Sequence, residues 1–162
     1  MSKKDWIEIA VLVVVIILIR TFIVTPAKVN GPSMETTLHD KSIIVVNKVD
    51  YSLNKASRFE IVTIILDDKE RLIKRVVGLP GEKVEYKNNK LYINDEEVEL
   101  PKEFPDTKDF VYEKLGDDEY FVLGDNRNNS TDSRILGPIN EKNIYGTVHF
   151  VLYPFNRFGK VK

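Results

Sequence analysis

The run from Trp6 to Val24 constrains the rest of the chain, because 19 residues dominated by Val, Ile and Leu are costly to leave in water. At about 1.5 Å per residue, a helix of this length nearly matches the ~30 Å hydrocarbon core of a bilayer. Glu8 and Arg20 lie near opposite ends of the run, where their charges can reach the interface. Lys3 and Lys4 before an apolar Val11 to Ile19 would also suit a cleavable secretory signal. Arg20-Thr21-Phe22-Ile23-Val24 has no small-x-small cleavage pattern, however, and Ala27 is flanked by long side chains. The reading is therefore an uncleaved, single-pass anchor over residues 6–24, with residues 1–5 in the cytoplasm and 25–162 outside.

The anchor leads into one domain of ordinary size, since the whole chain has 162 residues. Its 24 Lys plus Arg balance 25 Asp plus Glu, a formal charge of -1, which gives no electrostatic footprint for nucleic acid. With no cysteine there is neither a disulfide framework nor thiol chemistry. There is no zinc-ligand spacing, and Gly78-Leu79-Pro80-Gly81 is too short and wrongly arranged for a phosphate loop. Neither a metal nor an organic cofactor is expected.

Strand signals dominate after Pro26, which is expected to end the membrane helix. Ser42 to Val49, Phe59 to Leu66, Arg71 to Leu79, Tyr120 to Leu123 and Val148 to Tyr153 are rich in β-branched and aromatic residues. Asp67-Asp68-Lys69 reads as a turn, and Lys87-Asn88-Asn89-Lys90 as the tip of a hairpin between Val84–Tyr86 and Leu91–Ile93. Glu96 to Lys108, with Pro101 and Pro105, reads as a loop, and so does Gly124 to Arg134. The expected fold is all-β: a mainly antiparallel sheet domain preceded by a single transmembrane helix.

Within Gly31-Pro32-Ser33-Met34 the Ser33 hydroxyl is a candidate nucleophile, held close to the membrane by the preceding anchor. Such a hydroxyl needs a base. His39 is too near along the chain to be an obvious partner, and His149 lies in an alternating apolar run without a clear orienting acid. Lys74, between Leu72-Ile73 and Val76-Val77, could serve if burial keeps its amine neutral.

Together the anchor, Gly31 to Leu38, Leu72-Ile73-Lys74-Arg75-Val76-Val77-Gly78-Leu79-Pro80-Gly81 and Gly124-Asp125-Asn126-Arg127-Asn128-Asn129-Ser130-Thr131-Asp132-Ser133-Arg134 resemble the type I signal peptidases, in their short Gram-positive bacterial form. The resemblance implies a membrane-bound serine endopeptidase that removes signal peptides from exported precursors. Ser33 would attack the scissile carbonyl and Lys74 would be its general base. By the same resemblance Ser130 orients the lysine, Asp132 and Arg134 form a supporting ion pair, and Asp125 and Arg127 are structural. Val29, Gly31, Met34, Leu38, Leu72 and Ile73 would line the substrate site, with small pockets for the residues one and three places before the cut. The Ser33 N–H would be an oxyanion donor, while Gly31 replaces a serine that supplies a second donor in some members. The implied partners are signal peptides, the lipid bilayer and the secretion machinery. One departure stands out: Thr36 occupies a place where the family commonly has proline, a residue that would pre-set the turn. Two other readings stay open on the sequence, a Ser-Lys self-cleaving regulator and a non-catalytic, membrane-anchored signal-peptide-binding or accessory protein.

Overall fold

Runs of β-branched residues become strands wherever a neighbour can take their backbone bonds. The computed structural model describes residues 2–18, 24–66 and 70–161. It opens with α1, Lys3–Leu18, a helix of 16 residues. Trp6, Ile7, Ile9 and the side chains from Val11 to Ile16 are exposed on α1. Among the described residues no helix is long and apolar enough to cross a membrane. Of the rest of the expected anchor, residues 19–23 lie outside the described residues. Val24 does not belong to a helix at all but opens β1, Val24–Lys28. Pro26 sits inside that strand instead of stopping a helix. It is tolerated because β1 is the edge of its sheet, where a missing N–H leaves no ladder bond unmade.

The larger sheet is built on β2 (Ile43–Asn47), β3 (Ile61–Ile65), β4 (Arg71–Gly78), β9 (Glu119–Leu123), β10 (Ile139–Asn140) and β11 (Ile144–Tyr153). Its order is β1-β2-β11-β3-β4-β9-β10, and β12 (Gly159–Lys160) pairs with β11. The smaller sheet has the order β7-β6-β5-β8, from β5 (Val84–Lys87), β6 (Lys90–Ile93), β7 (Glu96–Val98) and β8 (Phe110–Tyr112). Among the described residues every strand pair is antiparallel. The turn expected at 67–69 lies outside the described residues, although β3 and β4 on either side of it pair in register from Ile61↔Arg75 to Ile65↔Arg71.

Three further expectations need correction. The strand read from Ser42 to Val49 stops at Asn47, whose side chain accepts from the Asp50 N–H and caps α2, Lys48–Asn54. The loop read over Glu96–Lys108 begins as β7, paired to β6. The loop read from Gly124 to Arg134 ends at Asp132, whose side chain accepts from the Arg134 N–H and caps α3, Ser133–Leu136. One apolar cluster joins Val29, Met34 and Leu38 to Ile44, Val46, Ile61 and Ile73, so the segment carrying Ser33 is packed onto the larger sheet. A second cluster, with Phe121 and Leu123, ties the smaller sheet to β9.

Candidate active site

After β1 the chain makes a closed loop. Val29 N–H donates to the Ser42 carbonyl at 2.8 Å, and Lys41 N–H returns to the Val29 carbonyl at 2.9 Å. Gly31 takes φ +85, a left-handed value that glycine adopts without strain, and its N–H donates to Asp40 Oδ1 at 2.9 Å. Met34 and Leu38 are buried beneath the loop. From the other side, Asn126 N–H donates to the Ser33 carbonyl at 3.0 Å, and Asn126 Nδ2 donates to the Pro32 carbonyl at 3.2 Å. Ser33 is thus held by its own turn and by a loop more than ninety residues away in sequence.

Lys74 comes from β4, whose last six residues are all buried. It is 2 % exposed. Its Nζ donates to Ser33 Oγ at 2.9 Å and to the Ile73 carbonyl at 3.0 Å. Burial penalises the ammonium and pulls the Lys74 pKa below 10.5, against the opposing pull of Asp132 and Glu70. A neutral amine here keeps donors for the carbonyl and presents a lone pair to the Ser33 proton, which is what a general base requires. The histidines offer no such pairing: His39 Nδ1 lies 2.5 Å from Glu35 and His149 Nε2 lies 2.9 Å from Asp50.

The stretch from Gly124 to Arg134 lies against Ser33, bonded to it through Asn126. Asp132 is wholly buried. It accepts from Arg134 Nε and Nη2, both at 2.8 Å, and from Gly124 N–H at 2.9 Å. Burial alone would raise its pKa, but the Arg134 and Gly124 bonds outweigh burial and hold the carboxyl below its ordinary value. Arg134 Nη2 also donates to the Arg127 carbonyl at 2.8 Å, so the ion pair expected between Asp132 and Arg134 is present and braces the loop. Ser130 differs from expectation. Its Oγ is buried and meets no partner at good hydrogen-bond geometry, although it lies near enough to the Asp132 carboxylate to help lower that pKa, and it makes no bond to Lys74. The amine's second bond goes to the Ile73 carbonyl instead.

Asp125 and Arg127 are buried. Asp125 accepts from Arg75 Nε at 2.9 Å and Nη2 at 2.7 Å, and from Thr37 Oγ1. Arg127 donates to Thr107 Oγ1 at 3.1 Å and stacks 4.3 Å from the Phe104 ring centroid. Sequence reasoning missed Arg75, although a second cation next to Lys74 in a buried strand demands a buried anion. It also missed Lys102, whose Nζ donates to Thr36 Oγ1 at 3.2 Å and lies 3.4 Å from Asp125; nothing in the loop around it marks that role. Thr36 adopts φ +80. Proline, fixed near -65°, could not take that conformation.

A cleft of about 270 Å³ runs past the pair, lined by Ala27, Val29, Ser33, Met34, Thr63, Leu72, Ile73 and Lys74 among others. Of the residues expected to bind substrate, Val29, Met34, Leu72 and Ile73 line it. Gly31 and Leu38 do not: Gly31 forms the turn behind Ser33, and Leu38 is drawn into the core with Ile44 and Val46.

Fold and site together define a mainly antiparallel β protein in which a serine and a buried lysine meet over a strand-lined cleft. Residues 3–153 match the signal peptidase family, peptidase S26, and the chain belongs to this family. It is 43% identical over 178 residues to signal peptidase I of Bacillus amyloliquefaciens, covering 99% of this chain and 96% of that protein. It is 36% identical over 177 residues to signal peptidase IB of Staphylococcus aureus (strain COL), covering 95% and 91%. The crystal structure of a signal peptidase I from Enterococcus faecalis superposes with a TM-score of 0.52 at 32% identity, over 58% of this chain and 97% of that one. These relatives make it a type I signal peptidase of the Gram-positive kind, a peptidase that removes signal peptides.

Proposed function

We propose that Ser33 and Lys74 are the nucleophile and general base of this peptidase and that they cut exported precursors through an acyl-enzyme. The observation that carries the proposal is the 2.9 Å contact between Lys74 Nζ and Ser33 Oγ at a lysine that burial drives toward its neutral form. In the first step the amine takes the Ser33 proton while Oγ forms a bond to the scissile carbonyl carbon. The resulting ammonium gives its proton to the departing amide nitrogen as the peptide bond breaks. Water then attacks the ester, Lys74 takes a proton from it, and that proton returns to Ser33 as the acid product leaves. The Ser33 N–H, which makes no hydrogen bond to any described residue, is the proposed oxyanion donor. The Gly31 N–H is taken by Asp40 and is not a second one.

Asp132 and Arg134 are proposed to hold the loop that braces Ser33, and Asp125 and Arg127 to pack it from behind. Val29, Met34, Leu72 and Ile73 would form shallow pockets for the small residues one and three places before the cut. The exposed apolar surface of α1 supports a membrane anchor that begins at Trp6 and ends before Val24, with residues 1–5 cytoplasmic and the peptidase domain at the external face beside the bilayer and the secretion machinery. The test is incubation of full-length protein with an alanine-x-alanine precursor and mass determination of the products. Cleavage after the last alanine, abolished in Ser33→Ala and in Lys74→Ala, is the expected result; cleavage at an undiminished rate by either variant would defeat the assignment.

A further inference from the structure

Thr63 carries a hydroxyl that the fold does not use. It sits in the middle of β3, where its neighbours are Ile61, Val62, Ile64 and Ile65, and it faces Ile73 across the β3–β4 ladder. The residue is 2 % exposed, and its Oγ1 is fully buried without a hydrogen-bond partner. Valine would fill nearly the same volume without burying an unpaired polar group, so the hydroxyl is a standing cost to folding. The same side chain lines the cleft beside Ser33 and Lys74. The wall mixes aliphatic side chains, from Ala27, Val29, Met34, Leu72 and Ile73, with the polar Lys28, Asn30 and Arg71. The polar groups of Ser33 and Lys74 already engage each other. An uncommitted hydroxyl among the residues of this cleft lacks a partner until a ligand supplies one.

We propose that Thr63 is a specificity-determining residue whose hydroxyl pairs with a small hydroxyl-bearing side chain of the bound peptide, so that the cleft accepts serine where an all-aliphatic wall would favour alanine. A serine entering the cleft gives up its bonds to water; Thr63 replaces one of them, while an alanine leaves Oγ1 unpaired as before. The proposal rests on the reading of Ser33 and Lys74 as the cutting pair, and the test separates the two. Three precursors are compared by kcat/KM: one with alanine both one and three places before the cut, and two with serine at one of those places. In Thr63→Val the serine-to-alanine ratio falls about 3- to 10-fold at one of the two places. The all-alanine precursor is still cut at close to the unmodified rate. Thr63→Ser, which keeps the hydroxyl, retains the original ratio, and thermal melting of each variant verifies folding. An unchanged ratio at both places, as when Oγ1 merely holds a water, overturns the proposal, and so does an equal loss on all three precursors. Either result leaves the Ser33–Lys74 reading standing, because the all-alanine precursor reports on that pair independently.

Discussion

A methyl group added at Gly124 should reach Ser33 through the backbone. An ideal Cβ there would stand 2.1 Å from Ser130 Oγ, 2.5 Å from Ser130 Cβ and 2.6 Å from the Ser33 carbonyl oxygen. Rotation about its Cα–Cβ bond can carry the Ser130 hydroxyl away, but the Ser130 Cβ moves only with its backbone, so that loop must give as well. The Ser33 carbonyl cannot move alone, because Asn126 N–H holds it at 3.0 Å. Ordinary contact begins at 3.4 Å, so Ser33 and Gly124 must part by about 0.8 Å. A shift of that size takes the 2.9 Å Ser33–Lys74 contact to or past the limit of a useful hydrogen bond. Misplacement of about 1 Å costs roughly 100-fold in rate, while overpacking itself costs about 1–3 kcal/mol of stability. Gly124→Ala should therefore cut precursor about 100-fold more slowly per folded molecule, with a modest loss in urea unfolding. Gly146→Ala is the control: its Cβ would meet the Asn47 carbonyl at 2.7 Å and Val46 Cγ1 at 2.8 Å, a similar insult in β11, away from the cleft lining. It should lose stability and keep its turnover. Full activity in Gly124→Ala, or an equal loss in Gly146→Ala, would refute this steric account.

The loops around Ser33 lead to two further expected outcomes. Asp132→Asn strands Arg134 and should cost about 3–5 kcal/mol at neutral pH; because the Asp132 pKa is lowered in the fold, its stabilising share is present above the ordinary carboxyl range and is lost as pH falls through the folded value. The gap between variant and unmodified protein in urea unfolding should accordingly narrow in acid, and a gap constant with pH would contradict the ion-pair account. Thr36→Gly should raise stability by about 1 kcal/mol by relieving a β-branched residue at φ +80, whereas Thr36→Pro should lower the melting temperature; a rise with proline would show that the turn is not the one described.

Much of the sheet was legible because local chemistry and tertiary context agree there. Asn88 and Asn89 adopt φ 51 and 61, the left-handed pair that a two-residue hairpin turn wants, and β5 and β6 pair on either side as read. β1 was not legible, since Val24 continues an apolar run and Pro26 reads as a breaker until the strand is known to be an edge. The start of β11 was hidden by Gly146 and by the irregular register between Ile144 and Gly146, which breaks the alternation that identifies a strand. In the site, Ser33 and Lys74 are 41 residues apart, and no spacing rule joins them; family resemblance singled them out, and the fold brings them together. Ser130 and Leu38 show the limit of such transfer: a position can match a motif while its hydroxyl has no partner or its side chain turns into the core. Thr63 left a faint signal, a hydroxyl amid Ile and Val, whose meaning depends on the cleft beside it.

The charge on Lys74 is the most direct thing to measure. Titration of its Nζ by NMR, assigned by loss of the signal in Lys74→Met, should give a pKa below the ordinary 10.5, and kcat/KM should rise with pH on that same ionisation because only the neutral amine can take the Ser33 proton. Between the folded and ordinary values the unfolded chain binds more protons, so this lysine's share of stability should also rise with pH. A Lys74 that titrates at 10.5 or above, with cleavage already maximal at neutral pH, would contradict the account.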